Sequence, residues 1–231
     1  MAIDRLRKEG VLTADELATY AGRLDPMAEG LLIVLSGDDR FKKEEWNGLA
    51  KTYRAVCLFG VGTDTGDLLG IPNIQEIMLP SREMVEEKIK SFVGTFVQSY
   101  HPFSSKPVDG KPLFAYALDG EEPSHIPNHE VTLISCALGE IQNTKLHEIL
   151  PEILERINTA PEGFRNELIE DGWKKVEDKE IMLVELTLSV SSGFYVRVFV
   201  EDLAKQLGSS ACLFSLIRES VGEYSIEKSD S

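Results

Sequence analysis

The sequence predicts an α+β fold, from three observations. Runs of β-branched and aromatic residues at 52–59, 131–138, 181–190 and 211–217 read as strands, stripes at 84–92 and 196–207 recur at helical spacing, and the two kinds mix without βαβ regularity. At 231 residues, 42% hydrophobic and 27% charged, the chain can bury one generous core or two small ones.

Taken in order, Ile3 to Arg7 reads as the end of an amphipathic helix, and Glu16 to Tyr20 as a loop. Next comes Ala21-Gly22-Arg23-Leu24-Asp25-Pro26-Met27-Ala28-Glu29-Gly30, followed by the apolar run 31–35, which reads as a buried strand. Pro26 biases Asp25 away from the helical region, so a lone carboxylate is held rigidly at the mouth of a core strand. Such an acid is a candidate nucleophile, although an ordinary Asp-Pro turn gives the same spacing. Thr52 to Phe59 is a strand stopped by Gly60. Met84, Val85, Ile89 and Phe92 mark a helix that starts at Pro80-Ser81, stops at Gly94 and leads to a short strand at 95–98. Residues 100–128 form a long Pro/Gly/Ser-rich loop, a length that usually signals function or disorder. Two strands, 131–138 and 181–190, flank highly charged helical segments at 146–157 and 162–176. Val196, Phe199, Val200, Leu203 and Leu207 make an i, i+3, i+4, i+7 stripe ending at Gly208, and 211–217 is a closing strand.

Composition narrows the function classes. No segment approaches the roughly eighteen consecutive apolar residues of a membrane span, and no apolar leader opens the chain, so a cytoplasmic location and no membrane partner are expected. Cys57, Cys136 and Cys212 are odd in number and widely spaced, and the four histidines lack ligand spacing. Neither a disulfide framework nor a metal is expected. The net charge of −15 argues against a nucleic-acid partner by its sum but not by its distribution. Residues 119–182 hold fifteen Asp/Glu against six Lys/Arg, leaving −6 for the rest, where Lys51, Arg54, Lys106, Lys111, Arg197, Lys205 and Arg218 can line a positive groove.

Five segments in order carry a resemblance. These are Gly22 to Gly30; Lys51-Thr52-Tyr53-Arg54; Gly60-Val61-Gly62-Thr63-Asp64-Thr65-Gly66-Asp67; Phe103-Ser104-Ser105 through Asp109-Gly110-Lys111-Pro112-Leu113-Phe114-Ala115-Tyr116-Ala117; and Ser192-Gly193-Phe194-Tyr195-Val196-Arg197 with Glu201-Asp202-Leu203 and Leu207-Gly208. They resemble G-x-L-D-P-x-A-x-G, K-x-Y, G-x-x-T-D-T-x-D, S-A-x-K-x-x-G-K-x-x-Y-x-x-A and S-x-G-x-Y-I-R with E-D-L-x-x-x-L-G of the TruB-type pseudouridine synthases. The resemblance implies a mixed, mainly antiparallel sheet with flanking helices, and an RNA-clamping thumb at 100–128. It also implies cofactor-free isomerisation of uridine to pseudouridine with base flipping, at position 55 in the T-loop of tRNA. It gives Asp25 as the catalytic carboxylate, held ionised by Arg197 with Asp67 in one network. Tyr53 is implied as the ring stacked under the flipped base, Tyr195 as the tyrosine near carbon 5, and Leu216 as a wall of the pocket. Lys106 and Lys111 fall to the thumb, and Tyr20 takes the place of the family's histidine five residues before the acid.

The chain also departs from that pattern. Lys106 sits one position before the family's lysine, with Pro107 in its place. The family's K-P-x-G opening strand has no counterpart before the first helix, which leaves open a sheet without that edge strand or an upstream start. A single catalytic domain over 1–231 is expected, acting as a monomer, with no room for the C-terminal RNA-binding domain of many relatives. The connection 146–176 is longer than the family's. Its charge predicts a solvated appendage on the side away from Asp25 and the thumb. Two other readings stay open: a non-catalytic tRNA chaperone on the same fold, and an aspartic protease built on Asp64-Thr65-Gly66.

Overall fold

The computed structural model describes residues 2–73, 78–160 and 165–226. The chain opens with helix α1 (Ala2–Lys8), then strands β1 (Ala18–Ala21), β2 (Ala28–Gly30) and β3 (Ile33–Ser36), a 3-10 turn at Gly37–Lys42 and helix α2 (Lys43–Gly48). Strand β4 (Lys51–Phe59) and the short pair β5 (Gly62–Thr63) and β6 (Pro72–Asn73) precede helix α3 (Arg82–Phe92) and strand β7 (Gly94–Ser99). A small hairpin, β8 (Pro107–Val108) and β9 (Lys111–Pro112), leads into α4 (Leu113–Asp119). After it come β10 (Asn128–Lys145), helices α5 (Leu146–Thr159) and α6 (Asn166–Lys174), β11 (Glu180–Val190), α7 (Val196–Gln206), β12 (Ala211–Val221) and β13 (Tyr224–Ser225).

The main sheet has seven strands, in the order β13-β12-β4-β11-β10-β7, with β2 pairing β12 off that path. Every pairing is antiparallel except β2 with β12, which is parallel. This is the mixed, mainly antiparallel α+β sheet that the resemblance implies.

Because successive strand residues point to opposite faces, the sheet supports two cores. Ala55, Cys57 and Phe59 of β4 join one cluster with Val85 and Ile89 of α3 and Phe199, Val200 and Leu203 of α7. Leu58 joins the other, with Ile153 and Ile157 of α5 and Ile169 and Trp173 of α6. The α7 stripe stops at Gly208, whose φ is 67°. Ser81 caps α3 by accepting the Met84 N–H at 3.3 Å.

Five sequence expectations are corrected. Residues 18–21 are a strand, not a loop, because β1 pairs with β3 from Ala18 opposite Ser36 to Ala21 opposite Ile33. That two-stranded sheet lies outside the main one, so in β3 only Leu35 is buried. The stretch 100–128 is not bare loop. Asp109 and Gly110 take φ of 49° and 80°, the signature of a two-residue hairpin turn, and α4 follows. Met84, counted in the apolar stripe of α3, is 45% exposed. Most consequential, α5 and α6 are no appendage. Ile153, Ile157, Ile169 and Trp173 are fully buried, so these helices roof one face of the sheet and send their charge outward. The expected helix start at Glu162 lies outside the described residues; the described helix begins at Asn166.

Candidate active site

One edge of β12 pairs with β4. The other collects both acids of the motif pattern: Asp67 bridges to Leu213, and β2 runs parallel to Leu216, Ile217 and Arg218. Asp25 sits three residues before β2 in a turn closed by the Ala28 N–H donating to the Asp25 carbonyl at 2.9 Å, with Pro26 at the turn's second position. Gly30 shows why the motif ends as it does. Its φ is 101°, and a β-carbon there would lie 2.3 Å from the Arg218 carbonyl oxygen. Any side chain would lever β2, and Asp25 with it, off β12.

Arg197, in the first turn of α7, joins the two acids. Its Nε donates to Asp25 Oδ2 at 2.9 Å and its Nη2 to Asp25 Oδ1 at 3.1 Å, a two-point grip on one carboxylate. Nη1 donates to the Thr65 carbonyl at 2.8 Å and stands 3.5 Å from Asp67 Oδ2. Asp67 Oδ1 accepts from Thr65 Oγ1 at 2.7 Å and from the Leu69 N–H at 3.0 Å. Burial raises the Asp67 carboxyl above its ordinary value, against the pull of Arg197 and Thr65. Burial works to neutralise Arg197, but Asp25 and Asp67 outweigh it and raise the guanidinium overall. The side chains of Arg197 and Asp67 are 5% and 2% exposed and that of Asp25 is 31% exposed, so the reachable end of the network is Asp25.

These groups open into a cavity of about 840 Å³ whose wall includes Tyr53, Tyr195, Leu216, Thr65, Phe103 and Phe114. Tyr53 stands on β4 between Leu188 and Arg218; burial raises its phenol, with Arg218 opposing. Tyr195 is held by its backbone: its N–H donates to Gln98 Oε1 at 2.8 Å and its carbonyl accepts from Gln98 Nε2 at 3.0 Å, with Gln98 fully buried. Burial pushes the Tyr195 phenol up to about 12.

Six of the nine residues singled out in the sequence therefore converge on one cavity: Asp25, Arg197, Asp67, Tyr53, Tyr195 and Leu216. Three stand outside its wall. Tyr20 is half-buried in β1. Lys106 lies over the Tyr100 ring at 4.9 Å, and Lys111 is occupied by Asp119 at 2.6 Å and Glu121 at 2.8 Å.

Sequence reasoning gave Arg218 and Lys51 no more than a share of positive charge and passed over Asn47 and Arg165. Arg218, 1% exposed, has no role in the motifs beyond a share of positive charge. It donates to the carbonyls of Leu31 at 2.7 Å and Gly22 at 3.1 Å, stitching both ends of the Asp25 loop to β12. Asn47 accepts the Gly22 N–H at 2.8 Å on its side chain, and its carbonyl accepts from Ser192 Oγ at 2.6 Å. Lys51 donates to the carbonyls of Asn47 and Leu49. Burial, with Arg218 nearby, brings its ammonium down to about 8. Arg165 enters the wall from the insert placed by sequence on the far side. Asp67-directed bonds could have been foreseen from the T-D-T spacing, whereas Arg165 has no local signal.

Among the described residues the wall carries five cations, Arg23, Lys51, Arg165, Arg197 and Arg218, against the carboxylates of Asp25 and Asp67. A chain of net charge −15 thus presents a locally positive cavity. Asp64 is bound to Arg165 at 3.0 Å and to the Ile71 N–H at 2.7 Å and is absent from the wall, so the Asp-Thr-Gly protease reading fails.

Residues 12–153 match the family described as TruB family pseudouridylate synthase, N terminal domain. Similar proteins include tRNA pseudouridine synthase 4 of Saccharomyces cerevisiae, 26% identical over 91% of this chain and 62% of its own length. Others are tRNA pseudouridine synthase B of Fusobacterium nucleatum, 27% identical over 98% and 65%, and that of Parabacteroides distasonis, 30% identical over 90% and 72%. The chain spans less than two thirds of the first two. Among solved structures, one from an H/ACA RNP bound to a substrate RNA containing 2′-deoxyuridine aligns with TM-score 0.54 at 14% identity. It covers 97% of this chain and 44% of that one, and shows a shared fold. The ordered motifs meet in one cavity and the family match spans more than half of the sequence: the chain belongs to the TruB family of pseudouridylate synthases.

Proposed function

We propose that this chain isomerises uridine to pseudouridine in RNA, at the T-loop uridine of position 55 in tRNA. The names of the relatives support the substrate class. The observation that carries the reading is the two-point grip of Arg197 on Asp25 at the floor of a positively lined cavity flanked by two tyrosines.

The reaction breaks the bond between the ribose C1′ and N1 of uracil, turns the base, and joins C1′ to C5; the C5 proton leaves and N1 gains one, so atoms balance without a cofactor. Asp25 supplies the carboxylate that attacks or stabilises the electron-poor C1′. Arg197 aims it by gripping both of its oxygens, and Asp67, through Arg197 and the Thr65 carbonyl, fixes the guanidinium. The base must leave its stack, at a cost of a few kcal/mol, and stacking on a ring such as Tyr53 returns about 1–3 kcal/mol. Tyr195, whose backbone is fixed by Gln98 and whose phenol burial pushes up to about 12, is the ring that stands near C5 in this reading.

The test is to incubate the protein with an unmodified tRNA transcript and map pseudouridine along it. Conversion at position 55 alone is expected. Conversion elsewhere would change the target, and binding without any product would leave a non-catalytic chaperone.

A further inference from the structure

Among the described residues, the insert between β10 and β11 reaches the cavity through one side chain, Arg165. Arg165 pairs with Asp64 at 3.0 Å, and its guanidinium lies 4.9 Å from the centroid of the Phe103 ring. Asp64 is itself held by the Ile71 N–H at 2.7 Å. Phe103 lies in the thumb stretch 100–128, which gives Ser104, Ser105, Phe114 and Leu118 to the same wall. Arg165 therefore ties the insert, the T-D-T turn and the thumb together at the mouth of the cavity.

Its backbone is held in the left-handed region, with φ 59° and ψ 29°, where a residue with a long side chain is uncommon. A conformation of that kind persists where its surroundings over-determine it, and it clusters at ligand sites. The frame behind Arg165 is rigid, because α5 and α6 bury Ile153, Ile157, Ile169 and Trp173 completely. The thumb in front is anchored at its base, where His101, Val108 and Leu113 are buried, but its cavity-facing helix is open. Phe114 and Leu118, one helical turn apart on α4, are 40% and 51% exposed although they face the cavity, and Ser104 Oγ is buried with no hydrogen-bond partner among the described residues.

We propose that Arg165 is a positioning residue for RNA binding. By clasping Phe103 against the Asp64 turn it holds the thumb in place before RNA arrives, with Phe114 and Leu118 set to meet unstacked bases. Ordering a loop in advance lowers the cost of binding and leaves the chemical step nearly alone. The RNA in this statement rests on the pseudouridine synthase reading; the clasp does not.

Arg165→Asn tests it, since Asn tolerates the left-handed backbone and carries neither charge nor length. Unchanged thermal melting checks the fold. In the free protein, amide hydrogen exchange across 103–118 should quicken about tenfold, as local opening becomes easier. With a tRNA transcript, KM should rise about tenfold and turnover at saturation should fall less than threefold. Arg165→Lys should recover part of the KM. Phe103→Leu should mimic Arg165→Asn, and the double variant should add nothing. Unchanged exchange in the free protein would overturn the clasp. So would KM effects that add between Arg165→Asn and Phe103→Leu while the salt slope of RNA binding drops by about one, which would mark a direct phosphate contact instead. Exchange is read without RNA, so a wild-type protein that forms no pseudouridine would refute the activity and leave the clasp to stand or fall by itself.

Discussion

The two faces of the sheet support the two ends of the charged network in different ways. On one face α7 delivers Arg197 from a helix whose apolar stripe packs on Ala55, Cys57 and Phe59. On the other, α5 and α6 pack behind the turn that carries Asp67; Leu68 and Leu69 belong to that core, and Trp173 Nε1 donates to the Leu68 carbonyl at 3.2 Å. The guanidinium is thus placed by a regular helix and the acid by an irregular turn that needs an outside brace. A site assembled this way fails differently when either face is disturbed: loss of Arg197 removes chemistry with the fold intact, and loss of Trp173 loosens the fold first.

Arg197→Met should show the larger functional effect. It removes the two-point grip that aims Asp25, so turnover should fall by about two to three orders of magnitude. Asp67→Asn should also be severe, and the double variant clearly less than additive, because both residues hold one carboxylate. Simple additivity, measured by single-turnover product formation, would dissolve the network. Trp173→Ala should act through stability instead, costing about 3–5 kcal/mol in denaturant unfolding. A marginal loss there would restore the insert to the role of an appendage.

The contrast also explains what was legible. Strands β4, β11 and β12 and helices α3 and α7 were readable because one apolar face each repeats at a fixed period. The insert was read as helical but misplaced. Its charge dominates the composition, and the buried set of Ile153, Ile157, Ile169 and Trp173 is a minority that only the sheet's second face explains. Strand β1 was missed because Ala18-Thr19-Tyr20-Ala21 is short and half-buried, and its existence depends on β3. The Asp109-Gly110 hairpin was a local signal left unused. Of the site, motif order placed Asp25, Asp67, Arg197, Tyr53, Tyr195 and Leu216. Arg218 and Arg165 escaped assignment because their partners lie far along the chain: Leu31 and Gly22 for one, Asp64 and Phe103 for the other.

Smaller effects sharpen the picture within the cavity. Tyr53→Ala should weaken RNA processing by about 1–3 kcal/mol if the ring stacks on the base, and Tyr53→Phe by much less. Equal losses in kcat/KM would shift the role to the hydroxyl. The smallest effect concerns Lys51, whose ammonium is brought down to about 8 by burial. Between about 8 and the ordinary lysine value the unfolded chain binds more protons than the folded one, so Lys51 adds a rise of stability with pH over that window. In Lys51→Met the rise should flatten, as read from urea midpoints at the two ends of the window. An unchanged slope would mean that the two carbonyls it contacts keep it charged.

The central claim is that Asp25, held by Arg197, is the reacting carboxylate on a tRNA uridine. Asp25→Asn keeps the shape of the side chain and removes its charge and nucleophilicity. Its RNA affinity should stay within severalfold of wild type while pseudouridine at position 55 disappears from single-turnover reactions. Product formed at the wild-type rate by this variant would contradict the account.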